Sequence, residues 1–181
     1  MQKEVIRSWP LFIGIGIMMI AHGLQMQLMG IRSVVEDFSV ITTGIFMAGF
    51  YIGYFSGSQT TPGLVQKVGH IRVFAAFASL ASLSALLAAV YVNPVMWTLS
   101  RIVTGISLVS CYIVAESWLN DRATNKNRGQ LLSAYMIILY IGLGIGMLLL
   151  NVSNPKNYEP FILVSVLLSL ALVPILLTKR S

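Results

Sequence analysis

The chain has 181 residues, of which 56% are hydrophobic and only 10% charged, against roughly 45 to 50% apolar and about 25% charged in soluble domains. With a mean hydropathy of +0.81, this balance excludes both a water-soluble globule and a disordered chain, because so few ionic groups cannot cover so much apolar surface. The formal net charge of +6 does not point to nucleic acid, since the cations fall in ones and twos between apolar runs, without a basic patch or interleaved aromatics.

A helix needs ~20 apolar residues to cross the hydrocarbon of a bilayer. Ser8 through Ile31 carries no formal charge. It follows Lys3 and Arg7 as a signal peptide would, but it is too long for such a core and lacks a small-residue cleavage site, so it is read as a retained first helix. Phe38 through Gln66 gives the second. Val73 through Ala115 holds one charge, Arg101, and the Asn93-Pro94 turn signal divides it into spans of Val73 to Val92 and Val95 to Ala115. Gly129 through Pro155 closes on the polar turn Asn151-Val152-Ser153-Asn154-Pro155, and Pro160 through Thr178 is the sixth span. The fold class is therefore an all-α membrane protein of six transmembrane helices.

Lys and Arg in short loops favour the cytoplasmic side. An N-terminus inside assigns Lys3, Arg7, Lys67, Arg72, Arg122, Lys126, Arg128, Lys179 and Arg180 to the cytoplasm and only Arg32 and Lys156 to the exterior. The expected location is the inner membrane, multi-pass, with both termini cytoplasmic.

Six helices divide into three plus three, and an odd unit forces the second triplet to cross in the opposite sense, as in the inverted repeats of transporters. The expected repeats are residues 1–92 and 93–181 of a single six-helix domain. The second helix of each triplet carries glycines at four-residue spacing, Gly49, Gly53 and Gly57, then Gly142 and Gly146. Such stripes let backbones approach closely, and here they are expected to form a seam with a second bundle. The Gly142 to Gly146 run lies inside a span with no preceding strand, so it is not a nucleotide loop. The third and sixth helices are plain and are expected to face lipid.

Arg101 is the most informative residue, since a cation at membrane depth costs at least ~2.5 to 3.5 kcal/mol and must meet water, an acceptor or a partner. At 1.5 Å per residue it lies ~9 Å below the outer edge, and His22 lies ~12 Å below it in a ~30 Å core. Helical spacing puts Gln25 on the His22 face and Thr98, Thr104 and Tyr112 on the Arg101 face. A shared polar cavity in the outer half of the bundle follows, the alternative being an arginine that snorkels to the headgroups. Cys111 reads as a buried packing residue. The residues around Gly63, Gln66, Lys67, Gly69, His70 and Arg72 read as a short basic loop, for which Glu116 and Asp121 offer acceptors.

These features resemble the N-terminal half of a major facilitator superfamily transporter. Gly63, Gln66, Lys67, Gly69, His70 and Arg72 stand where that superfamily has a signature of Gly, an acid, a base, Gly and further bases, with Gln66 in place of the usual Asp. Arg101 with Gly105 resembles the family's Arg-x-x-x-Gly element, associated with proton coupling. Helix five lacks the Pro of the antiporter signature. Glu116-Ser117-Trp118-Leu119-Asn120-Asp121-Arg122, with Asn127-Arg128-Gly129, is similar to a bacterial branch of transporters with unknown substrate. The resemblance implies alternating access, with helices one and four lining a cavity, two and five forming a seam, and three and six supporting them. It also implies a second six-helix half or a homodimeric partner, a small solute as substrate, and the cytoplasmic loop, with Glu116, Asp121 and Arg122, as a gate.

No cofactor, metal or nucleic acid is expected. The competing class is a non-transporting six-helix scaffold. A membrane enzyme is disfavoured, because the spans contain no carboxylate cluster, metal-binding His pair or nucleophile with a base.

Overall fold

Asn93 and Pro94 behave as the turn signal requires. The Asn93 side chain accepts the backbone N–H of Met96 at 2.9 Å, and Pro94, whose missing N–H costs nothing in a first turn, opens the next helix. Applied along the chain, such signals give the elements of the computed structural model, which describes residues 8–177. They are α1 (Trp9–Val35), α2 (Val40–Val68), α3 (His70–Val90), α4 (Pro94–Arg122), α5 (Arg128–Leu149) with a short 3-10 turn Leu150–Val152, α6 (Glu159–Leu170) and α7 (Leu172–Leu176). Six helical segments are long and apolar enough to cross a membrane, α6 and α7 together forming the sixth. No strand occurs among the described residues. Lys3, Arg7, Lys179 and Arg180, used above for orientation, lie outside the described residues.

Three boundaries differ from the expectation. The basic loop is almost absent, because α2 runs through Thr61, Pro62 and Gly63 to Val68 and only Gly69, at φ 90°, separates it from α3. A positive φ is a conformation glycine adopts without steric cost, so Gly69 carries the whole reversal and Gly63 is an ordinary helical residue. Pro62 is tolerated within the helix as prolines in membrane helices often are, where neighbouring groups take up the freed carbonyls. Helix α4 continues two turns beyond Ala115 to Arg122. The last span breaks at Ala171, one turn before Pro174, which has no N–H to offer the carbonyl of Leu170.

The packing has the symmetry that a repeat would give. Helix α2 packs on α4 and α5 packs on α1; α3 packs on α4 and the last span on α1; α3 and the last span meet each other, while α1 and α4 touch only sparsely. Exchanging α1, α2 and α3 with α4, α5 and the last span leaves this pattern unchanged.

Glycines make the two tightest pairs. On α2, Gly49, Gly53 and Gly57 lie against Thr98, Ile102 and Ile106 of α4, and Gly105 of α4 lies against the Phe50 carbonyl. On α5, Gly142 and Gly146 lie against Gly16 and Ile20 of α1, and Gly23 of α1 lies against the Leu143 carbonyl. A Cβ at Gly53, Gly105, Gly146 or Gly23 would collide with backbone of the facing helix. The glycines expected on a seam with another bundle are thus already covered within the chain, because the absent side chains let α2 and α5 close on α4 and α1.

What α2 and α5 turn outward is large and apolar. Tyr51, Ile52 and Phe55 are exposed on α2, and Ile137, Tyr140 and Ile141 on α5. Of the most apolar 18 residues in each span, only 28% (α2) and 22% (α5) are buried, against 44% for α3 and for the last span. The third and sixth spans are therefore better covered than the lipid-facing expectation allowed. They hold each other through Ser82, whose hydroxyl meets the Ser165 hydroxyl at 2.7 Å and donates to the Ser165 carbonyl at 3.0 Å.

Candidate functional site

Close packing of α2 on α4 brings an aromatic ring to the lone cation. The Arg101 guanidinium carbon stands 4.7 Å from the centroid of the Phe50 ring. The His22 ring of α1 stacks on that same ring, with centroids 5.4 Å apart and planes 19° apart. Phe50 thus joins Arg101 of α4 to His22 of α1, the two groups that depth placed at one level. A desolvated cation over an aromatic face gains about 2 kcal/mol, which offsets part of the cost of burying Arg101. The snorkelling alternative does not hold, since Arg101 is only 3% exposed and is turned into the bundle.

The hydrogen-bonding capacity of this cluster is largely unspent. Among the described residues, Arg101 Nε and Nη1, Gln25 Nε2 and His22 Nδ1 are buried and without a partner. Gln25 is itself 1% exposed. A buried polar atom left unpaired costs about 1 to 3 kcal/mol, more when charged, so these atoms on α1 and α4 single the region out as the candidate site. The carboxylates of the described residues all stand at helix ends or connections: Glu36 caps α1, Asp37 follows it, Glu116 and Asp121 lie in the last two turns of α4, and Glu159 opens α6. None is available to neutralise Arg101.

The other residues read onto the Arg101 face divide. Tyr112 turns toward α1, and its hydroxyl meets the sulfur of Met19 at 2.9 Å, one turn from His22. Thr104 turns away. Its hydroxyl pairs with that of Ser84 on α3 at 3.0 Å and donates to the Ser100 carbonyl at 2.9 Å, while the Ser100 hydroxyl donates to the Ser84 carbonyl at 2.8 Å. This buried hydroxyl ladder fastens α4 to α3, so Thr104 is a packing residue rather than part of the path. Thr98 donates to its own helix at the Pro94 carbonyl, 2.8 Å away. Cys111 is buried, as expected, with its sulfur 3.8 Å from the Phe74 carbonyl.

At the Gly69 end, the reversal places His70 against the end of α4. Its Nε2 is 2.9 Å from the Ser117 hydroxyl and 3.7 Å from an Asp121 carboxylate oxygen. The hydrogen-bond partner of His70 is thus Ser117, and Asp121 stands just beyond hydrogen-bond distance of the same nitrogen. Glu116 instead accepts the Tyr135 hydroxyl of α5 at 3.3 Å. Arg122 lies over the Trp118 ring at 5.0 Å. Gln66, Lys67 and Arg72 are exposed. Among the described residues, Lys67 and Arg72 reach no carboxylate.

Two features escaped the sequence. Phe50 offered only the hint of lying between Gly49 and Gly53, where helices approach. The second is a clasp at the opposite end, where Arg32 donates Nε to Glu36 at 2.6 Å and Nη1 to the carbonyls of Pro155, Lys156 and Asn157 at 3.2, 2.6 and 2.9 Å. It ties the end of α1 to the α5–α6 connection.

Comparison with known proteins places this six-span bundle in a family. The Major Facilitator Superfamily profile matches residues 11–181. An uncharacterized MFS-type transporter, YcaD, of Escherichia fergusonii is 26% identical over 136 residues, covering 75% of this chain and 36% of the relative. The YcaD transporter of Escherichia coli is 27% identical over 146 residues, covering 80% and 38%. The chain therefore spans less than two fifths of the length of these relatives. With its profile match and its six membrane-spanning helices, the chain belongs to the Major Facilitator Superfamily.

Proposed function

We propose that the chain forms one six-helix half of a secondary transporter that moves a small solute by alternating access. His22, Gln25, Arg101 and Tyr112 line the path between α1 and α4, and the second half is either a further bundle or a second copy. The observation that carries this reading is the buried guanidinium of Arg101, left without a counter-charge on α4, a helix that α1 touches only sparsely. A scaffold has no use for such a group, whereas a carrier needs unspent donors at its centre. Family membership and transporter-named relatives support the same reading. The sparsity of cations at the Arg32 end favours placing it outside the cell, with the His70, Ser117 and Asp121 contacts as a latch on the cytoplasmic side. His22, on the same Phe50 ring as Arg101, is the candidate for proton coupling.

The test is access of water to the site. In a Cys111→Ala background, His22→Cys is expected to react with a water-soluble maleimide in membranes, at a rate well above that of a cysteine replacing buried Ala85. A thiol at position 22 as inert as one at 85 would remove the site and favour the scaffold.

A further inference from the structure

The atoms left unpaired around Arg101 differ from a general polar lining, because nearly all are donors. Arg101 contributes Nε and Nη1, Gln25 contributes Nε2, and His22 Nδ1 can serve either way. A neutral sugar or amide could accept from these donors but would leave the guanidinium without a counter-charge, and a cation would meet Arg101 directly. An oxyanion satisfies the set, since it accepts from such donors and opposes the guanidinium charge, and the gain is large where water is excluded. Charge limits the choice further. Arg101 is the one permanent cation at this depth among the described residues, so a single negative charge is balanced there and a second would be buried unpaired. The Phe50 ring, held against both Arg101 and His22, supplies an apolar wall beside the charged head.

Resting on the carrier reading above, we infer that the site takes a small organic monocarboxylate, its carboxylate on Arg101 and its apolar body against Phe50. The inference goes beyond family membership, which leaves the solute open.

Thermal unfolding of the full chain purified in detergent tests it, with benzoate, acetate, inorganic phosphate and choline compared at matched ionic strength. A ligand bound only by the folded state raises the midpoint in a saturable way. Benzoate is expected to raise it by about 2 °C or more, acetate less, and phosphate and choline not at all. Arg101→Gln is expected to abolish the benzoate shift. Should that variant fail to fold, Arg101→Lys, which keeps the charge but loses the planar fork, is expected to raise the half-saturating benzoate concentration about tenfold. A shift from choline or phosphate alone, or a benzoate shift unchanged in the folded variants, overturns the assignment. Absence of any carboxylate shift while His22→Cys still reacts with maleimide also overturns it, and leaves the transport reading standing.

Discussion

Phe50 does two jobs at the scale of single residues, since one ring supports the guanidinium of Arg101 and the imidazole of His22. If the ring stabilises the buried cation, the two residues are energetically coupled. A double-mutant cycle with Phe50→Leu and Arg101→Gln, read by chemical unfolding, is expected to give a coupling of about 1 to 2 kcal/mol; additivity within about 0.3 kcal/mol would contradict the contact. Arg101 was legible in the sequence because a cation inside an apolar run stands out by its cost. Phe50 was not, because an aromatic among aromatics and aliphatics gives no contrast. Thr104 was misplaced for another reason. Three residues on a helix subtend about 300°, so Arg101 and Thr104 share a broad face. A face does not name its neighbour, and α3, carrying Ser84, reaches Thr104 from the side.

Among elements, the glycine stripes decide which helices pair. At Gly53 a methyl group would meet the Ile102 carbonyl, whereas at Gly63, further along the same helix, nothing lies within 4 Å. Gly53→Ala is therefore expected to destabilise the protein by about 1 to 3 kcal/mol through overpacking. Gly63→Ala is expected to be neutral or to stabilise by about 0.5 to 1 kcal/mol, because a glycine inside a helix loses more freedom on folding than alanine. Unfolding midpoints of the two variants in one detergent check the contrast, and equal midpoints would place the stripe on an open surface. Spacing in the sequence showed that the stripes pack; it could not show against what, since a seam with another bundle and a seam within this one need the same small residues. Charge intervals located all six spans, yet they mistook the end of α2 for a loop. A proline and two glycines read as a turn in water, while in a membrane helix only Gly69, with its positive φ, breaks the chain direction.

For the whole molecule, the faces of α2 and α5 matter most. They expose Tyr51, Phe55, Ile137 and Tyr140, and they flank the α1–α4 site on the same pattern of pairing that relates the two triplets. A second bundle seated on both faces would enclose Arg101 from the remaining direction. If a second bundle does sit there, nitroxides replacing Tyr51 and Tyr140 in membranes are expected to show low access to oxygen dissolved in lipid. One replacing Leu83 on α3, which is 51% exposed, is expected to show high access. The reverse order would mean that lipid, not protein, covers α2 and α5. Symmetry at this scale was half-visible in the sequence through the matching glycines; the mutual packing of α3 with the last span depends on Ser82 meeting Ser165 and Ser169, whose four-residue spacing gives a face but not its neighbour.

Alternating access is tested most directly at Gln25, which is buried one turn along α1 from His22 and belongs to neither glycine pair. Gln25→Cys in the Cys111→Ala background, exposed to an impermeant maleimide in right-side-out and then in inverted vesicles, is expected to react from both sides, with blocking from one side protecting it from the other. Reaction from one side only, or from neither, would contradict a path through the bundle.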